Sequence, residues 1–150
     1  MAPLSKAEIE NLYLIREYLE ALSVRQAMKN VTQMFIRELK DVHEEMIHCA
    51  EDEDCSEMIH LENKFHYIIL KQTDNPILEK NLRSVIERIE RYCNYGFLNI
   101  FSHKERIIHE HKYILDAIAH HECDMAERAM REHIVSSYKC LLLNDELQHI

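Results

Sequence analysis

Met58-Ile59-His60-Leu61-Glu62-Asn63-Lys64-Phe65-His66-Tyr67-Ile68-Ile69-Leu70, residues 58–70, is the stretch on which the fold turns. It holds no glycine or proline, and its apolar residues recur at helical spacing. At about 100° per residue, Met58, Leu61, Phe65, Ile68 and Ile69 share one arc, which Ile59 and Leu70 extend. Two polar residues fall inside that arc. Glu62 and His66 stand four apart, so their side chains lie one above the other on the buried side. His60 falls on the wet side with Lys64, Tyr67 and Lys71.

Composition makes the rest of the chain resemble this stretch. The 150 residues are 47% hydrophobic, enough for one domain with a real core, and include one glycine (Gly96) and two prolines. Rossmann folds, P-loops and most β-sandwiches need glycine where the backbone turns sharply or approaches a phosphate, so they are excluded and a helical bundle remains. Eighteen basic against 27 acidic residues give a net charge of −9, which repels a nucleic-acid backbone. No uncharged apolar window is long enough to span a bilayer, and charge near the amino terminus argues against a signal peptide. The cysteines at 49, 55, 93, 123 and 140 are odd in number and form no CxxC, a pattern that suits reduced thiols and a cytoplasmic location.

Start and stop signals divide the chain into about six helices. Ser5 with Glu8 reads as a capping box opening a helix to about Met28, and Thr32 caps a second reaching about Ala50. The third runs from about Ser56 to Thr73. Asp74-Asn75-Pro76 is a break, and a fourth helix runs from Pro76 to about Tyr95, with Gly96 as its stop or a kink. Ser102 with Glu105 reads as a second capping box for a helix ending near His120, and Asp124 caps a sixth to about Leu143.

The eleven histidines sort by face. On the fifth helix Ile107, Ile108, Ile114, Leu115 and Ile118 define the buried side, with His111 at its centre and His109 pointing away. On the sixth, His133 sits within the stripe Ala126, Ala129, Met130, Ser137 and Cys140. Three helices thus direct one histidine each into the core, and the third adds Glu62. A buried carboxylate and unpartnered imidazoles are costly, and a divalent cation removes that cost by taking all four as ligands, provided the helices pack so that these faces meet. On the first helix Arg16 and Glu20 share a face with Ile9, Leu12, Leu19, Ser23 and Ala27. They read either as a structural ion pair or as a guanidinium offered to a carboxylate ligand. The far side of that helix carries Leu14, Ile15, Tyr18 and Leu22, a candidate partner surface.

These residues, taken in order, resemble the effector-binding C-terminal (FCD-type) domain of the FadR branch of GntR-type bacterial transcription regulators. The resemblance runs from about Glu8 to about Tyr138. It rests on Ile15-Arg16…Leu19-Glu20, on Glu62-Asn63-Lys64-Phe65-His66 followed by Asn75-Pro76, and on Glu110-His111 with His133 22 residues later in Ala126-x-x-x-Met130-x-x-His133. It implies an all-α antiparallel bundle enclosing a pocket, with a divalent metal (zinc, nickel, manganese or iron) held by Glu62, His66, His111 and His133. It also implies a small carboxylate effector oriented by Arg16, a homodimer, and DNA binding only through a winged-helix domain absent from residues 1–150. Two positions depart from the family pattern: Glu62 stands where Asp is usual, and Glu122 stands where Asp is frequent before the last helix.

Other readings remain open on the sequence alone. Three histidines around an open metal position also describe a hydrolytic zinc site, with Glu62 as base if it is not a ligand. Glu45-Met46-Ile47-His48 and Glu57-Met58-Ile59-His60 match the Glu-x-x-His motif of di-iron bundles, although His60 lies on a polar face. A helical interaction module without a small ligand would leave the inward histidines unexplained. The expectation is a ligand sensor with no catalytic residues.

Overall fold

The computed structural model describes residues 4–53, 56–93 and 103–148. Among these residues it contains six α-helices and one short 3-10 turn, with no strand. They are α1 (Lys6–Ala27), followed by the 3-10 turn Met28–Asn30, then α2 (Gln33–Glu51), α3 (Met58–Gln72), α4 (Pro76–Cys93), α5 (Lys104–Ala119) and α6 (Cys123–Gln148). Short connections at 28–32, 73–75 and 120–122 return the chain on itself, as antiparallel neighbours require.

Local chemistry accounts for most helix ends. Ser5 Oγ accepts from the Glu8 amide at 3.2 Å while the Glu8 carboxylate accepts from the Ser5 amide at 2.7 Å, completing the expected capping box. Thr32 Oγ1 accepts from the Phe35 amide at 3.1 Å. Asn75 Oδ1 accepts from the Leu78 amide at 3.1 Å, which puts Pro76 in the first turn where its missing N–H leaves no bond unmade.

Two expected ends differ, and a third falls partly outside the described residues. Helix α5 starts at Lys104 with His103 in the cap position and Glu105 in its first turn. Ser102, Tyr95 and Gly96 lie outside the described residues. Asp124 sits inside the first turn of α6 rather than capping it, and it accepts from Arg25 Nη2 at 2.7 Å, tying the end of α1 to the start of α6. Last, α6 continues to Gln148, beyond the expected stop at Leu143.

With little glycine available, two other residues turn the chain. Asp74 takes φ 49° between α3 and α4, and His121 takes φ 58° after α5. At His121 the amides of Glu122 and His121 bond the carbonyls of Ala117 (2.9 Å) and Ile118 (3.0 Å), the paired closure that normally recruits glycine.

The core is continuous across all six described helices, with α4 contributing Ile89. Ile9, Val24, Phe35, Leu39, Met46, Phe65, Ile69, Ile114, Ile118 and Met130 form its centre. Leu70, Leu78 and Leu82 make a smaller cluster, joined by Leu19 of α1, where α4 meets α1 and α3. Helix α1 packs most extensively on α6 and also touches α3 and α4, so its inward face overlooks the centre of the bundle. Its outward face leaves Leu14, Ile15, Tyr18 and Leu22 exposed. The expectation that every thiol is free fails at Cys49, which is disulfide-bonded, whereas Cys123 and Cys140 are free. None of the described helices is long and apolar enough to cross a membrane.

Candidate metal centre

Helix α3 places Glu62 and His66 one turn apart, α5 supplies His111 and α6 supplies His133. The four residues meet: one ligand atom from each lies within 4.8 Å of all the others. His66 and His133 stack with ring centroids 5.2 Å apart and planes 19° apart, while His111 stands edge-on to His133 at 4.5 Å. Phe65 closes the inner side with its ring 4.6 Å from His111. The three histidines are at most 2% exposed, and the Glu62 side chain is 14% exposed.

Hydrogen bonds decide which nitrogens face the centre. His66 Nδ1 bonds Glu20 Oε2 at 3.2 Å, His133 Nδ1 bonds Glu110 Oε1 at 2.9 Å, and His111 Nδ1 bonds the Ile107 carbonyl at 2.7 Å. All three acceptors are oxygens, so each Nδ1 carries the proton and donates it. Every Nε2 then turns inward. His66 Nε2 and His133 Nε2 stand 3.2 Å apart, Glu62 Oε1 lies 3.5 Å from His133 Nε2, and His111 Nε2 is buried with no partner. Two nitrogens each about 2.1 Å from one ion sit roughly 3.0–3.4 Å apart, so the separation of 3.2 Å fits a shared cation. An orphaned ring nitrogen among 90% or more satisfied groups calls for a reason, and a cation supplies one.

Electrostatics agree with the geometry. Burial, then the neighbouring His133 and His66, pushes His111 well below its usual value, so its ring is neutral and free to ligate. Burial also opposes charge on His133, but hydrogen bonds to Glu110 and Glu62 outweigh it and raise that ring's value. Glu62 and Glu20 are likewise opposed by burial. Contacts with His133 hold Glu62 below the ordinary carboxylate range, and contacts with His66 and Arg16 do the same for Glu20. The pocket therefore concentrates negative charge and imidazole lone pairs at one point, where a proton or a metal ion is the stable occupant.

Arg16 is buried beside this cluster. Its Nε donates to Glu20 Oε1 at 3.3 Å, and Glu62 also acts on its charge. A cavity of about 290 Å³ opens between α3 and α4, lined by His66, Asn63, Tyr67, Leu82 and Ile86 among others, which gives His66 a path to ligand-sized space. Arg16 is not among the residues lining that cavity. Arg88 and Arg91 of α4 are exposed. The two Glu-x-x-His motifs converge on nothing: Glu45, His48, Glu57 and His60 are all exposed, which removes the di-iron arrangement.

Sequence reading missed three contributions. The sequence shows Glu20 only as a partner for Arg16 and Glu110 only as a neighbour of His111, yet both bond histidines of the cluster. His43 is a further buried histidine, and its Nε2 bonds the Ile108 carbonyl at 2.9 Å, joining α2 to α5. Its spacing with Leu39, Val42 and Met46 on the apolar face of α2 was the available signal.

Comparison with known proteins identifies the family. The family model of the FCD domain matches residues 11–136. The transcriptional repressor RspR of Escherichia coli K12 is 24% identical over 135 residues, covering 87% of this chain and 57% of the relative. The Nta operon transcriptional regulator of Aminobacter aminovorans is 29% identical over 133 residues (88% and 60%), and the galactonate operon transcriptional repressor of E. coli K12 is 26% identical over 128 (85% and 55%). The chain thus spans less than two thirds of the length of these relatives, which are named as transcription regulators and not as enzymes. Among solved structures, E. coli McbR/YncC superposes with a TM-score of 0.81 at 19% identity, covering 96% of this chain and 72% of that one, which shows a shared fold. With the matched residues spanning α1 to α6, the chain belongs to the FCD domain family.

Proposed function

We propose that residues 1–150 form the ligand-sensing domain of a GntR-type transcription regulator, with a divalent metal held by Glu62, His66, His111 and His133 and a small carboxylate as effector. The observation that carries this reading is the inward convergence of three Nε2 atoms whose Nδ1 atoms are all committed elsewhere, one of them left without a partner. A bound zinc, nickel, manganese or iron ion would offer open coordination positions to carboxylate or hydroxyl oxygens. Arg16 lies close enough to the cluster to balance the charge of such an acid, with its guanidinium already steadied by Glu20. A relative named for a galactonate operon points to hydroxy acids as the effector class.

Effector binding favours one packing of the bundle over another, and the shift it produces is bounded by its difference in affinity for the two. The readout belongs to a winged-helix DNA-binding domain outside residues 1–150 and to a homodimer in the cytoplasm. The exposed apolar row on α1 supports association with a partner. The rival hydrolase reading would need a base beside the metal. Glu62 faces His133 Nε2 as a ligand would, and its value held below the ordinary range suits a ligand better than a proton acceptor.

Metal analysis of purified protein tests the reading, together with calorimetric titration of small hydroxy acids. The expected result is about one divalent ion per chain, lost in His111→Ala and His133→Ala, with acid binding that requires the ion and returns the acid unaltered. Equal metal content in all three proteins would remove the centre, and turnover of the acid would favour the enzyme.

A further inference from the structure

Glu20 and Glu110 repeat one construction on two helices. Each is preceded, four residues earlier on its own helix, by an arginine that binds it: Arg16 on α1 and Arg106 on α5. Each then reaches across to a different helix and takes the Nδ1 proton of a histidine, Glu20 from His66 at 3.2 Å and Glu110 from His133 at 2.9 Å. Arg106 Nη1 also donates to Ser136 Oγ at 2.9 Å, one turn beyond His133, so this second arm is anchored to the helix that carries its histidine. His111 alone leans on a neutral backbone carbonyl.

Core packing does not require this. Glu20 is 0% exposed, and burying a carboxylate that deeply is favourable only with partners that need its charge. Both carboxylates bond the outer nitrogen of a ring, and both bonds aim the inner nitrogen at the same point. We propose that Glu20 and Glu110 are positioning residues of the metal centre, fixing the tautomer and orientation of His66 and His133 and lending negative charge to their inward nitrogens. This rests on the reading of the cluster as a metal site. The arginines moderate the effect: a guanidinium sharing each carboxylate reduces the charge that reaches the ring. Because Glu20 is enclosed whereas the Glu110 side chain is 21% exposed, the α1 arm acts in the drier surroundings and more strongly.

Competition for Zn2+ against a chromophoric chelator tests this on the intact chain, comparing wild type with Glu20→Gln and Glu110→Gln. Glutamine keeps an acceptor oxygen but removes the charge. Zinc affinity should fall about 10- to 100-fold in each variant at unchanged stoichiometry, with the larger loss for Glu20→Gln. The visible spectrum of the Co2+-loaded protein should shift with it. His43→Gln serves as the control, since it disturbs a buried histidine outside the cluster and should lower stability without changing zinc affinity. If wild type and both glutamine variants bind one zinc equally tightly with identical Co2+ spectra, the positioning role is overturned while the metal reading stands. If wild type binds no zinc, both are overturned. Should Glu20→Gln fail to fold, Glu110→Gln at its partly exposed position decides by the same measurements.

Discussion

The Nδ1 of His111 donates to the carbonyl of Ile107 at 2.7 Å, and that bond leaves Nε2 of the same ring buried with no partner. Ile107 lies one turn earlier on α5, so the ring is locked by its own helix. An unsatisfied polar atom in the core costs about 1–3 kcal/mol, a cost that a cation at the proposed centre would relieve.

Replacing this ring with an apolar side chain should therefore separate stability from binding. In His111→Leu the orphaned nitrogen disappears, and the metal-free protein should gain about 1 kcal/mol, read as a higher urea midpoint at unchanged slope. Zinc affinity should drop more than about 100-fold, beyond the loss typical of an outer partner. A lower midpoint in the metal-free variant would mean that Nε2 is satisfied and that the strongest sign of a cation is lost.

Arg16 needs a gentler substitution than alanine. Removing its charge would strand Glu20, and leaving a buried partner uncompensated costs about 3–5 kcal/mol, so Arg16→Ala confuses instability with lost recognition. Arg16→Lys keeps the charge beside Glu20 but loses the planar fork that grips a carboxylate through two bonds. Affinity for a small hydroxy acid should fall about 10-fold, equivalent to about 1.4 kcal/mol, with zinc content unchanged. Calorimetry showing equal affinities would assign Arg16 to the structural ion pair alone.

Under the proposed function, Glu20 would join the two ligands energetically. It shares its carboxylate between Arg16 and His66, at 3.3 Å and 3.2 Å. An acid that draws Arg16 towards itself leaves more of the Glu20 charge for His66 and so favours the metal. Linkage then requires the metal to favour the acid by the same factor. Zinc affinity measured with and without saturating hydroxy acid should differ by about 5-fold or more in wild type, the low end of ordinary coupling, and the part carried by Glu20 should shrink in Glu20→Gln. Coupling of equal size in both proteins would place it in direct contact between acid and ion.

How much of this was legible follows the physics of each feature. Helical periodicity is a local property, so Met58, Leu61, Phe65 and Ile69 announced α3 and its inward Glu62 and His66, and the same reasoning found His111 and His133. Their meeting depends on how three faces pack, which periodicity constrains but does not determine. Glu110 escaped because it sits one residue before His111, turned off the buried face, and reaches His133 only across the α5–α6 contact. Glu20 was visible as a partner for Arg16, yet its second bond spans 46 positions in the chain. Capping at Asp124 misled because a motif shows what a side chain can do, and this carboxylate accepts from Arg25 inside the first turn instead.

His121 offers a test of how the bundle turns without glycine. Its φ of 58° is a left-handed conformation, unfavourable by about 1–2 kcal/mol for a residue with a Cβ, and the two amide bonds to Ala117 and Ile118 hold it there. The ring is exposed, so its loss removes no core contact. His121→Gly should stabilise the protein by about 0.5–1 kcal/mol, less than the full strain because glycine also gains freedom in the unfolded chain. Asp74→Gly should gain less, since aspartate tolerates this region better and φ 49° lies within it. Urea unfolding at constant slope measures both changes. A lower midpoint for His121→Gly would show that the imidazole contributes to the turn, and the strain assigned to its backbone would have to be withdrawn.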